Sequence, residues 1–234
     1  RIQLGGHFKY GYGNRYFVQF DCTYAGNEQM REGNQFHFSP TGSVAWVISN
    51  EAFLRDAEWL NLLKLRASFG ALEYDVLGSM PSRYLYASEY RDQKGGPIDN
   101  IYTGTLLGEG VLGNPSIKWE KSYQQDYGFD LSVLDNSLTL NFDYWRTKQR
   151  DVIYQDMTVP SISGISPDRQ AYSNIGKTSG EGVDFQVSYT KSLPYGIGLT
   201  VTGDFGWNRN KVEYGADLDH SGLDYAYAYR KTGY

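Results

Sequence analysis

The chain has little of what most function classes require. None of its 234 residues fall in an apolar run of about 18 or more, so no helix can be drawn across a bilayer. A single cysteine, Cys22, excludes an internal disulfide. Its partners at every second position, Val18, Phe20 and Tyr24, mark it as a small packed or lipid-facing residue rather than a nucleophile. Three histidines, His7, His37 and His220, stand without ligand spacing, and no metal site follows from them. Positive charge is in deficit, with 22 Lys and Arg against 27 Asp and Glu for a net charge of -5, and no basic cluster occurs. Nucleic acid is therefore not an expected partner. No pair of carboxylates has a separation that periodicity fixes, and no nucleophile lies beside a base, so neither an enzyme nor a cofactor is expected. Arg1 is preceded by no initiator methionine and followed by no signal-peptide pattern, which leads to the expectation of an internal piece of something larger.

What is abundant is aromatic and glycine residues: 21 Tyr, 11 Phe, 5 Trp and 27 Gly, a composition that favours strands and turns. The strongest local signal is IKWEKSYQQDYGFDLSV at 117–133. Ile117, Trp119, Tyr123, Tyr127, Phe129, Leu131 and Val133 alternate with polar residues, and side chains alternate faces along a strand. The same period recurs near 2–12, 15–25, 36–49, 61–71, 138–144, 183–189 and 197–207. Most of these segments reach ten or more residues, beyond the usual five or six of soluble strands. Residues 50–60 change to helical spacing, with Asn50 as an N-cap, and predict a short helix in a connection. Regularity stops over 72–116 and again over about 150–180.

The connections thus alternate short and long, which an up-and-down antiparallel barrel wall predicts, with short turns on the periplasmic side and long loops outside. The fold class expected is all-β, as about eight strands of a transmembrane β-barrel. A mean hydropathy of -0.53 does not oppose this, because a barrel strand needs apolar residues only at alternate positions. On that reading Val18, Phe20, Val44, Trp46 and Phe129 face lipid, as do Leu131, Leu140, Phe142, Val187 and Leu199. Trp119, Tyr123, Trp46, Tyr189 and Trp207 are the expected interface aromatics. Asp126, Asp130, Asn141, Asp143, Asp184, Gln186 and Asp204 line a wet lumen, or the solvent face of a soluble sandwich. Tyr74, Tyr84, Tyr86, Tyr90 and Tyr102 in the long loop are candidates for stacking on sugars or gripping a peptide, and packing on neighbouring loops is an equal account of them.

Several runs resemble the barrel of the SusC/RagA family of TonB-dependent outer-membrane transporters. They are FSPTGSVAWVISNEAFL at 38–54, WLNLLKLRASFG at 59–70 and LGNPSIKWEKSYQQDYGFDLSVLDNSLTLNFDYWRTKQRDVIY at 112–154, followed by NIGKTSGEGVDFQVSY at 174–189 and FGWNRNKV at 205–212. The resemblance covers nearly the whole chain, with 72–111 matching only as a variable loop. It implies that 1–234 is part of one barrel domain of roughly 22 strands around a plugged lumen, the plug lying outside this chain. It implies location in the outer membrane, a SusD-like surface lipoprotein as lid, and contact with the TonB complex through regions elsewhere. The cargo so implied is a glycan or oligosaccharide, or a peptide. A TonB-dependent receptor for siderophores or cobalamin is the nearest alternative, and a soluble glycan-binding β-sandwich the alternative of another class.

Overall fold

The computed structural model describes residues 1–74, 83–94, 105–156, 162, 164–215 and 233. Eight strands form one antiparallel sheet: β1 (Ile2–Tyr12), β2 (Tyr16–Gly26), β3 (Phe36–Val47), β4 (Leu60–Tyr74), β7 (Glu120–Val133), β8 (Leu138–Gln155), β9 (Tyr172–Leu193) and β10 (Ile197–Tyr214). Between β4 and β7 a separate hairpin pairs β5 (Tyr90–Lys94) with β6 (Thr105–Glu109). Each strand of the large sheet pairs with the next one along the chain, apart from this excursion. Among the described residues β1 and β10 are each paired on one side only, so the sheet is open.

Short turns close one end. Gly13 and Asn14, at φ 57° and 53°, make the β1–β2 turn, and Asp135 and Asn136, at φ 54° and 61°, the β7–β8 turn. Both pairs have the left-handed φ of the central residues of a type I′ turn, within connections of three residues (13–15) and four (134–137), the second also holding Leu134 at φ 56°. Pro194–Gly196 turns β9 into β10. The β3–β4 connection departs from expectation. The structure forms a 3-10 turn at Ile48–Asn50 and then a chain of turns instead of a helix over 50–60. Glu51, buried beneath these turns, accepts hydrogen bonds from the Tyr16 hydroxyl (2.5 Å), the Trp46 indole (3.0 Å) and Arg15 (3.0 Å). Those tertiary bonds hold the segment to β2 and β3, overriding a local helical spacing that offers only a turn or two.

Register explains why one face is apolar. Tyr12, Tyr16, Trp46, Leu65, Phe129, Phe142, Phe185 and Phe205 are successive cross-strand partners, so a single row crosses all eight strands. The row above it runs Tyr10, Val18, Val44, Ala67, Tyr127, Tyr144, Val183 and Trp207. The rows do not run parallel to the turn end. At β1–β2 the first row ends beside the turn, whereas at β9–β10 the turn comes only at Leu193 and Ile197, well beyond Phe185 and Phe205. This progressive stagger is the shear that lets strands tilt and a sheet curl into a barrel.

The core lies not between sheets but at the long-loop end. Met30, Leu85, Ile117, Trp119 and Ile153 are all buried and pack together, with Tyr86 and Tyr172 against them. This corrects the expectation for Ile117 and Trp119. β7 begins at Glu120, and these two residues point into the loop core rather than extending the outward stripe. The other ends also shift: β4 runs to Tyr74, β8 to Gln155, and β9 starts at Tyr172, each carrying pairing into segments expected to be irregular. These strand ends are mostly half-buried under the loops, and Ile153 and Tyr172 reach the loop core.

Candidate functional site

The face opposite the apolar rows carries ordered polar chemistry. Arg66 on β4 lies across the register from Gly128, and beyond it from Asp143. Because Gly128 has no side chain, the guanidinium crosses its strand to reach Asp143 Oδ2 at 2.9 Å, and also binds Asp130 Oδ1 at 3.0 Å. A Cβ at Gly128 would lie 2.2 Å from Asp143 Oδ1, so the contact requires glycine. Lys64 adds a second cation 3.4 Å from Asp130. Further along, Asn141 donates to Gln186 (3.3 Å), and Gln186 donates to Asp204 (2.7 Å). Ser188 bonds Thr202 at 3.0 Å and Thr190 bonds Thr200 at 3.1 Å, continuing a hydrophilic band to the turn end. On β1–β2, His7 pairs with Asp21.

Nearer the loop end of the same face, Trp145 breaks the pattern. It pairs with Gly182, and its indole lies over that residue, with ring atoms 2.5–2.8 Å from where a Cβ would stand. Its Nε1 donates to Asp184 Oδ2 at 3.0 Å. A concavity of about 450 Å³ adjoins it, lined by Thr147, Gln149, Thr178, Gly180 and Asn210 among others.

Above this face the long connections are knitted together. Asn114 donates to the Tyr172 carbonyl (2.8 Å), while Asn174 binds Lys118 through both its backbone groups and also reaches the Asp151 carbonyl. The Trp119 indole donates to the Asn34 carbonyl at 2.6 Å, and Asn34 returns a bond to the Ile117 carbonyl at 3.3 Å. Asparagine suits this work because one side chain both donates and accepts.

The outward candidates Val18, Phe20, Val44, Trp46, Phe129, Leu131, Leu140, Phe142, Val187 and Leu199 all fall on one face by register. The loop tyrosines divide. Tyr84 and Tyr86 meet edge to face at 5.8 Å, with Arg83 over the Tyr84 ring. Tyr86 leans on the loop core, Tyr90 is exposed on the β5–β6 hairpin, and Tyr74 is half-buried at the end of β4. Tyr102 and His220 lie outside the described residues. Sequence reading did not single out Trp145 or Arg66. The available signal was parity, since Trp145 sits beside outward Tyr144 and must therefore face the polar side.

A family model described as TonB dependent receptor-like, beta-barrel, matches residues 1–233. The chain belongs to the TonB-dependent receptor β-barrel family. TonB-dependent receptor P3 of Formosa agariphila is 28% identical over 231 residues, covering 96% of this chain and 22% of that protein. TonB-dependent receptor SusC of Bacteroides thetaiotaomicron is 26% identical over 219 residues, covering 90% and 20%. The chain thus spans about a fifth of the length of these curated relatives. Among solved structures, the RagAB peptide importer in its open-open state matches at a TM-score of 0.76 and 21% identity, over 91% of this chain and 22% of that one. This TonB-dependent receptor segment is therefore SusC-like in sequence, and its staggered meander has the fold of the RagAB barrel. The family is one of transporters.

Proposed function

We propose that residues 1–234 are part of one barrel domain in an outer-membrane receptor that imports an oligosaccharide by TonB-driven transport, lidded by a SusD-like lipoprotein. The observation that carries this reading is the register-locked division of the sheet. Eight consecutive strands keep a row of large apolar side chains on one face and charged or amide groups on the other. Lipid takes the first face and a hydrated lumen the second, as the alternation in membrane barrels requires. Val18, Phe129 and Val187 are then in acyl chains, and Trp46 and Tyr16 sit at the periplasmic interface. The packed loop end lies outside, where the loop tyrosines meet cargo or the lid. Energy for transport enters through the plug and TonB, which other parts of the receptor contact.

The test is extraction of the intact receptor from outer membranes in mild detergent, followed by mass spectrometry and an uptake assay with fluorescent oligosaccharides. A stoichiometric surface lipoprotein and uptake lost without TonB are expected. Recovery in the soluble fraction overturns the membrane reading, and uptake of chelated iron or cobalamin alone overturns the cargo class.

A further inference from the structure

We infer that Trp145, held flat on a glycine ledge, is a sugar-stacking platform in the wall of the lumen. This deepens the import reading above and rests on it. Trp145, Thr147 and Gln149 are alternate residues of β8, so all three project from the polar face. Their partners on β9 are Gly182, Gly180 and Thr178. Two glycines in succession remove side chains from the wall and leave a ledge. The indole lies down on it instead of standing off the sheet, because a Cβ at Gly182 would sit 2.5 Å from the ring. The bond from Nε1 to Asp184 fixes the ring's rotation. One side of the ring is spent on the ledge, and the half-buried indole borders the adjoining concavity with the rest of its surface.

The concavity beside the ring supplies the remaining chemistry. Asn210 projects over Gly180, its Oδ1 2.7 Å from where a Cβ would be. Thr178 donates to Gln149 Oε1 at 2.6 Å, which orients the carboxamide and leaves its nitrogen out of that bond. Hydroxyls and carboxamides both donate and accept, and so match vicinal hydroxyls, which do the same. No carboxylate lines the concavity among the described residues, and Lys211, which borders it, lies between Asn210 and Val212 and so projects from the other face. A neutral pyranose fits this set: its C–H face lies on the electron-rich face of the indole and its hydroxyls bond the amides. A peptide fits less well, since the concavity offers neither an apolar hole for side chains nor paired charges for them.

The test uses the intact receptor in detergent, titrated calorimetrically with seven-residue linear α-glucan, β-glucan and mannan oligosaccharides, and with a neutral heptapeptide. At least one oligosaccharide should bind, with affinity falling tenfold or more in Trp145→Ala and by under threefold in Trp145→Phe. Gly182→Ala keeps the indole but lifts it from the ledge, and should weaken the same sugar about as much as Trp145→Ala. Heat-modifiable migration on gels checks that every variant is a folded barrel. Sugar binding that survives Trp145→Ala overturns the platform and leaves glycan import standing. Binding of the heptapeptide alone, or of none of the oligosaccharides, overturns both.

Discussion

Phe129 stacks on Phe142 with ring centroids 5.5 Å apart, in the middle of the row that crosses the sheet. If that face meets lipid, Phe129→Arg should cost about 2–4 kcal/mol near mid-bilayer and prevent outer-membrane assembly, checked by loss of the heat-modifiable band. Arg66→Met leaves Asp130 and Asp143 side by side without their shared cation. The expected loss is about 1–2 kcal/mol, below the 3–5 of a fully buried pair because Arg66 is a third exposed, and is read from the urea midpoint of the refolded receptor. At the turn end, the Tyr16 hydroxyl, then the Trp46 indole and Arg15, hold the Glu51 carboxyl below the ordinary carboxylate range. A lowered folded-state value means that the contribution is complete above the unfolded carboxylate range and fades as pH falls through the folded one. Hydrogen-exchange protection factors at 48–59, taken relative to the intrinsic exchange rate at each pH, should therefore fall on acidification below about pH 4.5, and Glu51→Gln should remove that fall. Parity made the apolar-row position of Phe129 readable from the sequence. It could not reveal the Arg66 pairings, which depend on which residues sit opposite across two strands and on a glycine between them.

At the scale of elements, alternation carried the strands and loop composition carried the turns. Three elements escaped, the first of them the β5–β6 hairpin, which lies inside 72–116 where no strand alternation is legible. The spacing over 50–60 reads as a helix, yet those residues serve the burial of Glu51, a contact with Arg15, Tyr16 and Trp46 that local periodicity does not contain. The stripe at 117–133 reads as one strand, yet Ile117 and Trp119 close the loop core through partners as distant as Met30 and Ile153. Apolar residues at strand spacing look the same whether lipid or another loop covers them. That core makes the loop end a packed unit. Trp119→Ala removes about 3–5 kcal/mol of local packing and the indole bond to Asn34, and should speed proteolysis within 27–35 and 110–119 while the strands below stay protected.

For the whole molecule, the two open edges dominate. In a bilayer each unpaired N–H or C=O of β1 and β10 costs several kcal/mol, so residues 1–234 expressed alone should aggregate rather than insert into detergent micelles or vesicles. A monodisperse, heat-modifiable species from this piece would refute that. The strand order has a further consequence, for the way such a wall is made. Every pairing in the large sheet joins strands that are neighbours along the chain, except that β7 must bypass the β5–β6 excursion to find β4. Loop closures are therefore short nearly everywhere, and the wall can be zipped up hairpin by hairpin, each arriving strand docking on the one before it. The single long closure, from Tyr74 to Glu120, is the expected slow step, and the packed loops above it are what would hold that closure once made.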